Sequence, residues 1–146
     1  MKTFYLCLAA VVVSLNCSGV HWEIIGQDSK KAVHRGSLDI DLKTSVGATT
    51  IRVLDENKIP YVGNEDGINS LLGTPTGDAA IVVVSADTMR VYGWCYEVDG
   101  IQPNVMPGEF YFPTQASTLR WFFAYSLYEK GEWKDYCTPA HTKPLR

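Results

Sequence analysis

Histidine is scarce in this chain, and so are the residue groupings from which reactive sites are usually built. The three histidines, His21, His34 and His141, stand near the ends of the expected mature chain. Fraying concentrates there, so no internal imidazole is left to serve as base for a serine or cysteine nucleophile. HExxH, CxxC, P-loop and GxGxxG patterns are absent, and with them the familiar zinc, redox, phosphate and dinucleotide sites. A basic excess is absent too. The 146 residues carry a formal net charge of −3, which gives no electrostatic reason for binding nucleic acid or an anionic membrane. Lys30, Lys31 and Arg35, with His34 beside them, are the nearest thing to a basic cluster and read as a solvated linker. On these grounds neither enzyme activity, metal nor cofactor is expected.

What is present points first to a compartment. Residues 1–19 read as an export signal: Lys2 supplies the positive start, and Phe4–Leu15 (FYLCLAAVVVSL) is an apolar centre too short to span a bilayer comfortably. Cys17 and Gly19 suit cleavage before Val20, while lipid attachment at Cys17 is the rival reading, although Ser14 stands where that signal prefers leucine. The expectation is a secreted or periplasmic protein, away from membranes once the signal is removed unless it is lipidated at Cys17. Cys7 and Cys17 fall in the removed segment, leaving Cys95 and Cys137. Two cysteines in an oxidising compartment imply one disulfide; closing a loop of about forty residues stabilises by roughly 4 kcal/mol. Two unpaired thiols in strands are the alternative.

The apolar fraction of 46% argues for a packed core over disorder, and the length suits one domain. The expected division is an N-terminal arm over residues 20–36, a single domain over 37–137 and a frayed tail over 138–146. The arm, with Trp22 and Ile24, reads as extended, or alternatively as a first edge strand. Ser37–Lys43 alternates Leu38, Ile40 and Leu42 with Asp39, Asp41 and Lys43, the period of a half-buried strand; the Asp39/Asp41 pair is a solvated face and not a metal site. Ala48–Leu54, rich in β-branched residues, reads as its hairpin partner. Asn64–Gly73 reads as a short helix, capped by Asn64 or Asp66 and stopped by Gly73, with Ile68, Leu71 and Leu72 buried. Asp55, Glu56, Asn64, Glu65 and Asp66 lack the spacing of a calcium loop. Ala79–Ser85 (AAIVVVS) reads as a central strand covered on both faces.

The second half carries the densest pattern. Met89–Val98 puts Tyr92, Trp94, Tyr96 and Val98 on one face; Asp99-Gly100 is a two-residue hairpin signal. Pro103 and Pro107 confine Ile101–Pro107 to an edge or loop. Glu109–Phe112 reads as a short strand. Thr118–Tyr128 is a long one with Leu119, Trp121, Phe123 and Tyr125 on one face and Phe122 and Ala124 opposite. Lys130-Gly131 turns the chain into Glu132–Cys137, which brings Cys137 opposite Ala124.

The succession GWCYEVDGIQPN, GEFYFP and STLRWFF over Gly93–Cys137 resembles the domain family of unknown function grouped with the C-terminal domain of transcobalamin. Asp99 stands where that family has Asn, and Ser117–Trp121 lacks its usual Gly-Asp. The resemblance implies an α+β fold: a small β-grasp-like (ubiquitin-like) mixed sheet with one short helix and a C-terminal aromatic β-hairpin. It also implies, distantly, a cobalamin-type ligand, which the transcobalamin member encloses with the help of a companion helical domain.

Aromatics lie on both faces of Thr118–Tyr128, and one short helix covers only one face. The uncovered side is then a contact surface, unless the N-terminal arm and Trp22 form a second layer over it. The candidate ligand-binding residues are Trp94, Tyr96, Phe122 and Trp133, for an unknown small molecule, glycan or protein. Glu97 and Glu109 read as surface residues and not as a catalytic pair. The expected function is a non-enzymatic binding module; the alternative is a structural or inhibitory accessory protein that adds to an envelope or extracellular partner through a sheet edge.

Overall fold

Two long aromatic strands, antiparallel over their whole length, form the middle of the molecule. The computed structural model describes residues 19–142; all but Gly19 of the segment expected to be an export signal, Cys7 and Cys17 included, and the last four residues lie outside the described part. Its elements are β1 (Val20–Ile25), β2 (Ala32–Leu38), α1 (Val46–Glu56), β3 (Tyr61–Asn64), β4 (Gly67–Leu71), β5 (Ile81–Ser85), β6 (Thr88–Val98), β7 (Thr118–Glu129) and β8 (Glu132–Pro139), with three 3-10 turns between or after them. The main sheet runs β2-β1-β7-β6-β5, and β8 pairs the second half of β7. β1 is parallel to β7, with Ile24 opposite Trp121; the other pairings are antiparallel. β3 and β4 form a separate hairpin. The protein is therefore α+β: a mixed sheet, one α-helix among the described residues, and a C-terminal β7–β8 hairpin on which the Trp133 ring contacts those of Tyr128 and Tyr136. No helix among the described residues is long and apolar enough to cross a membrane.

The alternation in β6 and β7 decides where the core sits. Tyr92, Trp94, Tyr96 and Val98 point to the same side as Leu119, Trp121, Phe123 and Tyr125, and all are buried. Each such side chain contributes roughly 2–3 kcal/mol by leaving water. Val46, Val53 and Leu54 of α1 and Ile68 and Leu71 of β4 pack into the same cluster, and the Trp121 indole N–H donates to Thr50 Oγ1 of α1 at 3.0 Å. The opposite face is held by less. There Ile25, Phe122 and Ala124 pack with the Cys95–Cys137 disulfide. Strands flanking β7 on either side would lie roughly 9.5 Å apart in a flat sheet. The two cysteine Cα atoms are 5.9 Å apart, so β8 curls over this face to reach β6.

Several local expectations are corrected. Residues 20–36 are not an arm: β1 lies inside the sheet between β2 and β7, and Val20, Trp22, Ile24 and Ile25 are buried. Trp22 joins the helix-side core and so does not cover the far face. Only Ser37 and Leu38 of the expected Ser37–Lys43 strand belong to β2; Asp39 to Lys43 form a loop in which Asp41 Oδ1 accepts the Lys43 amide. Ala48–Leu54 is helical. Ser45 caps α1 by accepting the Ala48 amide at 3.1 Å. The Thr50 hydroxyl is absorbed by the Val46 carbonyl at 2.7 Å, and Val46, Thr49, Thr50, Val53 and Leu54 fall on one buried stripe.

Asn64–Gly73, expected as the helix, is the turn and second strand of the β3–β4 hairpin. Asn64 Oδ1 accepts the Asp66 amide at 2.9 Å and so closes a turn instead of capping a helix. β5 is an edge strand and not a central one, because β7 already occupies the other side of β6; Val83 is 73% exposed. Glu109–Phe112 is no strand: Pro107–Glu109 is a 3-10 turn, and Tyr111 makes an isolated bridge to Ser45. Pro139, not Cys137, stands opposite Ala124, since two register shifts intervene in β8. The expected tail begins inside the sheet, with Thr138 and Pro139 in β8 and Ala140 buried.

Candidate functional site

Beside the free length of β6 the chain builds a groove of about 520 Å³. Its floor is Trp94 and Tyr96, its walls the tip of the β3–β4 hairpin (residues 63–69) and the segment 103–107. Both walls are tied to the floor by the polar ends of those two aromatics. The Trp94 indole N–H donates to Thr74 Oγ1 at 2.8 Å, just beyond β4, and Ser70 Oγ of β4 donates to the Thr74 carbonyl at 2.7 Å. The Tyr96 hydroxyl donates to the Val105 carbonyl at 2.8 Å. These are buried or half-buried bonds, so losing one strands a polar group. At the base, α1, the hairpin and the 3-10 turn meet without room to spare: a Cβ on Gly47 would lie 1.9 Å from the Glu65 carbonyl oxygen and 2.9 Å from the Gly108 nitrogen.

The groove is lined mainly by Ile68, Trp94, Tyr96, Val105, Met106 and Pro107, and Asp66 is the one charged residue among the described lining. Glu109 lies close enough to act on the Tyr96 hydroxyl. Burial first, and the Glu109 charge second, push the Tyr96 phenol up to about 12.

The far face of the sheet carries a second concavity, of about 810 Å³. Arg120 stands in its floor between Glu23 at 3.1 Å and Glu97 at 2.6 Å. Burial works against the charged guanidinium, but hydrogen bonding to Glu23 and the charges of Glu97 and Glu23 outweigh it and raise the pKa above the ordinary arginine value. Lys30, Lys31 and Arg35 stand along the rim. Residues expected as a solvated linker thus sit beside a neutralised arginine.

The four candidate binding residues are not brought together. Trp94 and Tyr96 floor the groove. Phe122 lies on the opposite face, buried against Ile25, Ala124 and the disulfide. Trp133 is at the end of the β7–β8 hairpin, 43% exposed, edge-on to Tyr128 with ring centres 5.2 Å apart. Glu97 and Glu109 are parted likewise: Glu97 is engaged by Arg120 on the far face, and Glu109 sits in the 3-10 turn near Tyr96.

Sequence reasoning missed Ile68, Val105 and Met106 as site residues. The signal bearing on them was the pair Pro103 and Pro107, which stops the segment after Ile101 from joining the sheet and leaves it overhanging β6. It also missed that His21 is held in β1, where its Nδ1 lies 2.8 Å from Ser37 Oγ. Both residues are exposed, and no carboxylate hydrogen-bonds this imidazole among the described residues. Neither family models, curated proteins nor solved structures gave a match to this chain.

Proposed function

We propose that this chain is an exported, non-enzymatic binding module, secreted or periplasmic or else lipid-anchored at Cys17, whose ligand sits in the groove over Trp94 and Tyr96. One observation carries the reading: an apolar hollow walled by segments that are hydrogen-bonded to its aromatic floor, the preformed kind of concavity that ligands use. The Cys95–Cys137 disulfide supports an oxidising compartment. The hairpin β1–β2, the parallel pairing of β1 with β7 and the helix across one face support a β-grasp-like domain of the transcobalamin C-terminal kind. The ligand is a small molecule, glycan or protein segment, a cobalamin-type molecule being the distant member of that range.

The test is native mass spectrometry of protein recovered from its own source, followed by titration of recovered molecules against tryptophan fluorescence. Co-purified material that quenches the wild type but not Met106→Lys supports the groove. Material that quenches both equally, or protein that emerges bare and responds to nothing in a small-molecule, glycan and peptide panel, overturns it. The open edge of β5 favours a second reading, an accessory protein that adds to a partner: Ile81, Val83 and Val84 are exposed there without a charge among them. Loss of partner capture in Val83→Lys, with groove variants still capturing, would point that way.

A further inference from the structure

The groove has a backbone edge as well as aromatic rings. β5 pairs with β6 only from Thr88 to Val91, and Ile101 touches it only at Val98. Between them, from Tyr92 to Glu97, no strand among the described residues lies on that side of β6. The direction of the backbone groups follows from the hairpin at its end. The Val98 amide donates to the Ile101 carbonyl at 2.9 Å, and the Ile101 amide donates back at 3.0 Å. Both polar groups of Val98 therefore point away from β7. In an antiparallel ladder the orientation alternates, so the amides and carbonyls of Tyr96, Trp94 and Tyr92 also point outward, while those of Glu97, Cys95 and Gly93 turn to β7.

Two features keep the chain itself from closing this window. Pro103 has no amide hydrogen to continue the pairing that Ile101 begins, and the 3-10 turn Gly77–Ala80 delays β5 until Ile81.

We infer that the groove takes an extended peptide, added as a further strand along Tyr92–Tyr96, with an apolar side chain against Ile68 and Met106 and a lysine or arginine beside it. This rests on the groove being the ligand site. The extended backbone is called for by the outward-facing ladder groups, which a compact small molecule would leave unmatched. The cationic flank is called for by the charges at hand: Asp66 lines the groove, Glu65 is exposed next to it on the hairpin tip, Glu109 stands by Tyr96, and no Lys or Arg is among the described lining residues. A window of five residues spans roughly 17 Å, which sets the peptide's engaged length.

The experiment selects binders from a random heptapeptide display pool on the full disulfide-bonded chain, with Met106→Lys and Asp66→Lys chains as counter-selections. Peptides enriched on the wild type are resynthesised with a single backbone N-methyl group at each position in turn. Enriched peptides should pair an apolar residue with Lys or Arg, lose affinity at least tenfold on N-methylation at alternate positions only, and weaken about fivefold on Asp66→Lys with a flatter salt dependence. Near-ultraviolet circular dichroism of each variant checks that the domain is folded. Enriched peptides whose N-methyl scan has no period of two, or that lack basic residues, overturn strand addition. If no peptide is enriched while small apolar fragments still quench Trp94 in the wild type and not in Met106→Lys, the groove stands and strand addition fails. If neither binds, both fail.

Discussion

Gly47 and Tyr96 show how much of the groove depends on single side chains. Gly47 lets the start of α1 meet the Glu65 carbonyl and Gly108 at a distance no Cβ tolerates, and both atoms are backbone, so neither can swing aside. Gly47→Ala is expected to destabilise by about 2–3 kcal/mol in urea unfolding; a change under about 0.5 kcal/mol would show that the junction yields freely. Tyr96 is a case for pH. Its folded value, about 12, stands above the reference 10.0, so folding favours the neutral phenol. That contribution is complete below pH 10 and is lost as pH rises toward 12, because the unfolded chain gives up the proton first. Tyr96→Phe is expected to remove one late-titrating phenol from the alkaline spectrophotometric titration and to flatten the decline in stability over that window. An unchanged titration and an unchanged decline would contradict this account.

At the scale of elements, the disulfide and the choice between helix and strand matter most. Cys95 and Cys137 are 42 residues apart in sequence, so opening the bond frees an unfolded-state loop worth roughly 4 kcal/mol. It also frees the curled end of β8 from β6. The double variant Cys95→Ser, Cys137→Ser should lose about that much in urea unfolding and protease resistance near Tyr136; equal stability of both forms would mean that the packing of Phe122 and Ala124 suffices alone. The period of two in Tyr92/Trp94/Tyr96/Val98 and Leu119/Trp121/Phe123/Tyr125 was legible from residue order, because alternation of large rings has no helical equivalent. Asp99-Gly100 and Lys130-Gly131 were legible because these turns need positive φ, which the chain adopts at all four. Segments 46–56 and 64–73 were not. The first is β-branched yet helical; in the second, Ile68 and Leu71 stand at a spacing that both a helix and an irregular hairpin bury.

The whole molecule is organised by contacts between its two ends. β1 supplies the strand that runs parallel to β7, and its four buried apolar residues contribute roughly 8 kcal/mol, comparable to the entire stability of a small domain. A chain begun at Ser37, at the boundary suggested by composition, is therefore expected to lose cooperative urea unfolding and near-ultraviolet circular dichroism. Retention of both would show that β1 is an accessory after all.

Residue order by itself determined the long strands, the tight turns, the aromatic face and the pair of sulfurs, since each depends on side-chain period or turn stereochemistry within a few neighbours. Tertiary structure decided which short segment became the helix, that the first strand lies beside the last long one, and that the edge of β6 opens into a groove. Those outcomes depend on which distant apolar surface is available for burial, and on Pro103 meeting an edge that the chain reaches only after folding.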